Sequence, residues 1–256
     1  MSENNHTNGP DNEQDNGLSE EDISGYEEYI SDHTASQAAD DPEPGTKEMA
    51  EKFEGQRKTI NQGEELDLTA MDPTLRRVVV ALGWDVIGYE TPEPDLDASV
   101  FLLKNDEQTR EDSDFIFYNN MSGCDGAVEH QGDNRTGAGD GDDETVVIDL
   151  NGIPFDIGKL EFVVSIYDAH DRGHSFDNVR NVFLRIVNKD TNQELVIYYL
   201  DNNIAGEGSE ALKVGHLQRE GPNWLFVAKS EGVKGGLAKI ATDYGIIVAE
   251  HTSTGG

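Results

Sequence analysis

Residues 132–144 read Gly-Asp-Asn-Arg-Thr-Gly-Ala-Gly-Asp-Gly-Asp-Asp-Glu, with five carboxylates (Asp133, Asp140, Asp142, Asp143, Glu144) and four glycines against a single basic residue, Arg135. Like charges crowded onto a short loop repel one another, and a hard divalent cation is their natural neutraliser. Ca²⁺ takes about six to eight oxygen ligands from carboxylates, amides and carbonyls. The glycines give the backbone access to positive φ, so that several oxygens can converge on one point. The loop therefore reads as a calcium site, with a solvated acidic turn as the competing reading. It is not an EF-hand: with Asp133 at position 1 and Glu144 at position 12, Arg135, Gly137 and Ala138 fall at positions 3, 5 and 6. Those positions call for two oxygen ligands and a glycine. Nor is it a calcium-binding β-helix, because the pattern occurs once.

A second carboxylate pair is Asp95 and Asp97. Residues two apart in a strand share a face, so both can point at one site at the strand's start. The same pair also fits a loop end followed by a strand cap. Asn119 and Asn120 follow a strand end, where amide oxygens complete a calcium shell or serve as ordinary turn residues. Asp168, at the end of another strand, and Glu210, before an apolar run, are open in the same way. His170 and His174 have zinc-like spacing, but Gly173 and the absence of a further ligand favour a surface loop. His130 after Glu129 can orient a carboxylate, though an exposed strand position is the simpler expectation. Cys124 lacks a basic activator, and Asp125 beside it disfavours the thiolate. Trp84 and Trp224 read as core aromatics. No Ser-His-Asp order, P-loop or dinucleotide fingerprint is present.

The elements that position these groups read as short strands. Leu66 and Leu68 alternate before a turn at Asp72-Pro73, and residues 77–84, 95–103, 114–118, 145–150 and 159–167 follow as strands. Further strands are expected at 181–188, 194–200, 211–219 and 224–229, with helix only at 175–179 and 234–244. Many short strands with turns between them argue for an all-β, antiparallel two-sheet β-sandwich. Residues 1–58 are rich in Asp, Glu, Asn, Gly and Ser and poor in Val, Leu and Phe, which reads as a disordered acidic N-terminal extension. Within it, residues 18–30 carry a faint amphipathic pattern. The folded domain is expected over 59–250, with a loose end at 252–256.

The chain has 256 residues and a formal net charge of −33. Such a balance disfavours nucleic acid, whose phosphates need clustered Lys and Arg, and purely electrostatic attachment to anionic lipid. The one cysteine rules out an internal disulfide framework. No apolar run approaches the roughly 18 residues of a membrane span, and the N-terminus lacks a secretory pattern, so a cytoplasmic protein is the expectation.

Several blocks, in order, resemble the TerD domain of tellurium-resistance and stress-response proteins: Leu82-Gly83-Trp84-Asp85, Asp95-Leu96-Asp97-Ala98-Ser99 and Phe115-Ile116-Phe117-Tyr118-Asn119-Asn120. The loop Gly132-Asp133-Asn134-Arg135-Thr136-Gly137 with Gly139-Asp140-Gly141-Asp142-Asp143-Glu144 resembles that family's calcium loop. Residues 159–168, Phe183-Leu184-Arg185-Ile186-Val187 and the Glu210 segment continue the resemblance, which spans about residues 62–241. It implies a two-sheet sandwich binding one or two Ca²⁺ ions through loops at one end. Asp95, Asp97, Asp133, Asn134, Asp140, Asp142, Asp143 and Glu144 fall on its acidic positions, with Asn119, Asp168 and Glu210 more loosely placed. It further implies a non-enzymatic sensor or scaffold that assembles with other Ter-type stress proteins, some of them membrane-associated. The acidic extension departs from the family pattern. Two rivals stand beside this reading. One is a calcium-dependent module for lipid headgroups or carbohydrate, which needs basic or aromatic residues near the ion, and few are evident. The other is a metal-dependent hydrolase using the same carboxylates.

Overall fold

The structure, a computed structural model, describes residues 57–86, 94–133, 142–200 and 208–247. The readings of residues 1–56 and 252–256 lie outside the described residues. In chain order the strands are β1 (Lys58–Ile60), β2 (Glu65–Asp67), β3 (Arg77–Val86), β4 (Leu96–Leu103), β5 (Phe115–Ile116), β6 (Ser122–Gly123) and β7 (Val128–Asp133). They continue with β8 (Glu144–Asp149), β9 (Lys159–Ile166), β10 (Val179–Asn188), β11 (Glu194–Tyr199), β12 (Ala211–Glu220) and β13 (Asn223–Val233). Three short helices, α1 (Leu68–Met71), α2 (Ala169–Arg172) and α3 (Gly236–Asp243), complete the described residues.

Two sheets pack face to face. One is seven-stranded, in the order β1-β11-β10-β3-β8-β7-β6, and the other six-stranded, in the order β2-β13-β12-β9-β4-β5. Every pairing is antiparallel except that of edge strand β1 with β11. The core between the sheets follows from period-2 alternation. Val78, Val80, Leu82, Val146, Ile148, Leu184 and Ile186 meet Ala98, Val100, Leu102, Leu160, Phe162, Val164 and Phe226, all of them buried.

The six-stranded sheet is covered on its outer face as well, which is why all eight residues of β4 are buried. There Phe101, Leu103, Phe115 and Val163 pack beneath Ile240, Ala241 and Tyr244 of α3 and its end. Phe101 stacks on Phe115 at 4.4 Å and meets Tyr244 edge-on at 5.2 Å. The rings continue through Phe117 and Tyr118 to Tyr167, making a ladder across the sheet edge.

The expected strands over 77–84, 95–103, 145–150, 159–167, 194–200, 211–219 and 224–229 form within a few residues of those bounds. The expected strand over 114–118 shrinks to Phe115–Ile116, because Phe117 and Asn120 close a tight turn through reciprocal backbone bonds at 3.0 and 2.8 Å. The helix expected at 175–179 is only a 3₁₀ turn, Phe176–Asn178, while α2 forms unexpectedly just before it. Gly173, with φ 70°, ends α2, and its N–H donates to the Ala169 and His170 carbonyls. The alternation at 66–68 breaks because Asp67 accepts the Ala70 N–H at 2.8 Å and starts α1.

Candidate metal centre

The strand registers bring the acidic segments to one end of the sandwich. Leu96 pairs with Ile166, so Asp95, before β4, and Asp168, after β9, leave the sheet together. Ala211 pairs with Ser165, which puts Glu210 at the same end. In the other sheet, Glu144 pairs with Leu82 on one side and Asp133 on the other.

The two sheets are tied there by Glu144 and His130. The Ala98 N–H donates to Glu144 Oε2, and the Ala98 carbonyl lies 3.2 Å from His130 Nε2. Strand β5 stops at Ile116, opposite Val100, so among the described residues the start of β4 has no strand beside it on that edge. A carboxylate and an imidazole from β8 and β7 take the edge hydrogen bonds instead, which satisfies polar groups that would otherwise be buried unpaired. His130 Nε2 also lies 3.3 Å from Glu144 Oε2, while Nδ1 accepts the Gly132 N–H at 3.1 Å. That contact fixes the tautomer with hydrogen on Nε2. Burial lowers the proton affinity of His130, but the hydrogen bond and charge of Glu144, the Ala98 carbonyl and Asp97 outweigh it and raise the net value. The simpler expectation of an exposed His130 is thus overturned, since it is 5% exposed and holds the buried Glu144. Alternation around Val128 is the signal that would have placed it inward.

Asp143 is also buried. Its Oδ2 accepts the Trp84 N–H at 2.8 Å, and burial raises its proton affinity despite that bond, with Asp85 and Asp142 adding to the shift. Asp142 is engaged differently. Arg185 grips it with two guanidinium nitrogens, one at 2.6 Å, and reaches Glu194 at 3.2 Å. Asp97, nearly buried, lies within electrostatic reach of His130 and Tyr118, whereas Asp95 is exposed.

The outlying candidates form a rim. Asn119 is exposed at the tip of its turn, and Asn120 donates to the Phe115 carbonyl at 2.6 Å. Asp168 adopts φ 53° and faces Arg172 at 3.5 Å. Glu210 accepts the Gly235 N–H at 3.0 Å and faces His170 at 3.7 Å. His174 is buried while His170, on α2, is exposed, so the two imidazoles have different surroundings. Among the described residues no group of three or more His, Cys, Asp or Glu is arranged to hold a metal. Asn134, Asp140 and the side chain of Asp133 lie outside the described residues. Asp95, Asp97, Asp143 and Glu144, drawn from both sheets, lie at this end without being gathered into such a group, and their side chains are hard-oxygen donors. That chemistry fits Ca²⁺ rather than zinc or copper. Trp224 is core, as expected, and Trp84 is only partly buried beside Asp143.

Residues 57–244 match the TerD domain. The chain is 46% identical over 191 residues to General stress protein 16U of Bacillus subtilis (strain 168), covering 74% of this chain and 98% of that protein. It is 43% identical over 188 residues to Tellurium resistance protein TerD of Serratia marcescens, covering 73% and 97%. A solved structure of a homologue of telluride resistance protein from Streptomyces coelicolor A3(2), 23% identical, shares the fold with a TM-score of 0.52 over 65% of this chain and 95% of that one. No helix among the described residues is long and apolar enough to cross a membrane.

Proposed function

Because this chain belongs to the TerD family, with relatives named for tellurium resistance and general stress, we propose that it is a calcium-binding stress-response protein acting as a non-enzymatic sensor or scaffold. The observation that supports the reading is that Asp95, Asp97, Asp143 and Glu144, from both sheets, lie at the end that also bears the carboxylate-rich loop. One or two Ca²⁺ ions would be held by these four with Asp133, Asn134 and Asp140. Asp142, committed to Arg185, anchors the loop's return into β8. Asn119, Asp168 and Glu210 stand at the rim.

The chemistry such an ion supplies is charge neutralisation. Burial makes the ionised form of Asp143 costly, and a cation beside it offsets that cost. Neutralising the loop orders this end of the sandwich into a surface for a partner, which couples calcium to assembly. The partners are other stress proteins of the same kind, some of them membrane-associated. The setting is cytoplasmic, and the acidic segment 1–58 acts as an appendage to the sandwich over 59–250.

One observation favours a second reading, a calcium-dependent module for lipid headgroups or carbohydrate. Tyr118 and Tyr167 are 43% and 45% exposed at this end, with the Arg172 guanidinium 5.3 Å from the Tyr167 ring. These are the aromatic and basic residues that such a module needs, and the sequence alone did not reveal their convergence.

Calorimetric calcium titration of chelator-stripped protein separates the possibilities. Saturable binding that disappears in Asp95→Asn/Asp140→Asn supports the proposal, and no binding sinks it. Retention on liposomes or glycans that chelator abolishes, and that fails in Tyr118→Ala/Tyr167→Ala, selects the second reading.

A further inference from the structure

The outer face of the six-stranded sheet buries a second carboxylate that the proposed function does not use. Glu161, on β9, is 0% exposed and sits between Phe101 of β4 and His216 of β12 in the strand registers. His216 reaches that face through a bulge. The register of β12 shifts between Lys213 and Gly215, and the extra residue turns the following side chains over. Val214 and Leu217 therefore both enter the core, while His216 faces outward. Glycine is required at the bulge. Gly215 has φ 156°, and a Cβ there would lie 2.8 Å from the Phe226 ring and 2.9 Å from the Val227 carbonyl.

His216 Nε2 lies 3.3 Å from Gln218 Oε1, an acceptor, so Nε2 carries the hydrogen and Nδ1 a lone pair. Nδ1 faces Glu161 Oε2 at 3.8 Å, and both atoms are buried without a hydrogen-bond partner. Two lone pairs that face each other in a site closed to water repel, and each forfeits the hydrogen bond it had in water. One proton between them satisfies both atoms. We propose that Glu161 and His216 together form a proton-binding site on the outer face of the sheet, holding one shared proton at neutral pH.

The pair has two forms of equal proton count, carboxylic acid with neutral imidazole and carboxylate with imidazolium. At alkaline pH the proton passes to solvent base and leaves carboxylate and neutral imidazole. The groups around the pair act in opposite directions. Lys229 Nζ lies 3.5 Å from Glu161 Oε1, and Lys159 and Lys213 also favour the ionised carboxylate. Lys159 is paired with Glu107, and Lys213 with Glu231 at 3.2 Å, which dilutes that pull. Tyr244, close to Asp243 and above Glu161, remains a neutral phenol. Burial is the largest influence on both members. It raises the proton affinity of Glu161 and, with Lys229 and Lys159, lowers that of His216 to about 4, so the proton resides mainly on the carboxyl. A raised acid contributes stability that is complete below its unfolded pKa and is lost as pH rises through the folded one.

Imidazole nitrogen–proton correlation NMR on the full chain, from about pH 5 to 10, tests this together with urea unfolding over the same range. His216 is expected to keep its hydrogen on Nε2, to show a strongly hydrogen-bonded Nδ1, and to change once, above neutrality. That step is expected to vanish in Glu161→Gln, whose amide donates without titrating. Between the ordinary carboxylate range and the step, the folding constant of the native chain relative to Glu161→Gln falls tenfold per pH unit, the slope for one proton, and it levels off above the step. Calcium or chelator leaves the step in place. A native His216 with an unbonded Nδ1 throughout, or one titrating near the ordinary value, overturns the proposal. That arm needs no variant to fold.

Discussion

Glu144 and Glu161 are both buried glutamates facing a histidine, one at the acidic end and one on the outer face of the six-stranded sheet. Glu144 accepts a backbone N–H and an imidazole hydrogen, so its charge is held by dipoles fixed in the β4 edge. Glu161 has lysines within reach but leaves one oxygen unpartnered. The same residue type thus has fixed hydrogen-bond donors in one place and is pressed toward its neutral acid in the other. What differs is whether backbone donors or only mobile side chains supply the compensation.

The comparison breaks most visibly where the cover over Glu161 is removed. Phe101→Ala, which takes the stacked ring from between Phe115 and Tyr244, should cost about 3–5 kcal/mol in urea unfolding. It should also admit water and erase the pH dependence assigned to Glu161. Next, calcium at a hundred times its Kd should stabilise the chelated protein by about 2.7 kcal/mol. That increment should survive Glu161→Gln and fall in Glu144→Ala, and an equal loss in both would merge the two sites. Glu144→Ala alone should cost about 1–3 kcal/mol by orphaning the Ala98 N–H, whereas Glu144→Gln, which still accepts that bond, should cost less.

Asp143→Asn offers a change of sign. Burial raises the Asp143 pKa, so its contribution is complete below the ordinary carboxylate range and declines as pH rises through the raised value. In chelator the variant should be more stable than the native chain at neutral pH and no better in acid. In calcium the order should reverse. The smallest effect is expected from Arg185→Ala, about 1 kcal/mol or less, because its pair with Asp142 is partly exposed.

Much of this was legible along the chain. The β-branched runs of β3 and β9 and the acidic loop announce themselves by composition, and the registers then place Asp95, Asp97 and Glu144 together. The burial of His130 on β7 was missed because Val128 is the only apolar residue marking its inward face, and its contact with Ala98 of the other sheet is non-local. Glu161, flanked by Leu160 and Phe162, reads by alternation as a solvent-facing residue. Only the later chain, through α3 and Tyr244, shows that its face is covered. His216 had a local signal, Gly215 inside a strand pattern, because strand glycines mark bulges.

The chain has two tryptophans. Trp84 donates its backbone N–H to Asp143, among the proposed ligands, while Trp224 sits at the far end of β13 with the Arg219 guanidinium 4.4 Å from its ring. If an ion is held beside Asp143 as proposed, Trp84 is the tryptophan nearer to it and Trp224 the distant one. Intrinsic emission therefore contains both a reporter and its own reference. With Trp224→Phe to isolate the Trp84 signal, the proposed calcium loading would be readable in a cuvette without any dye.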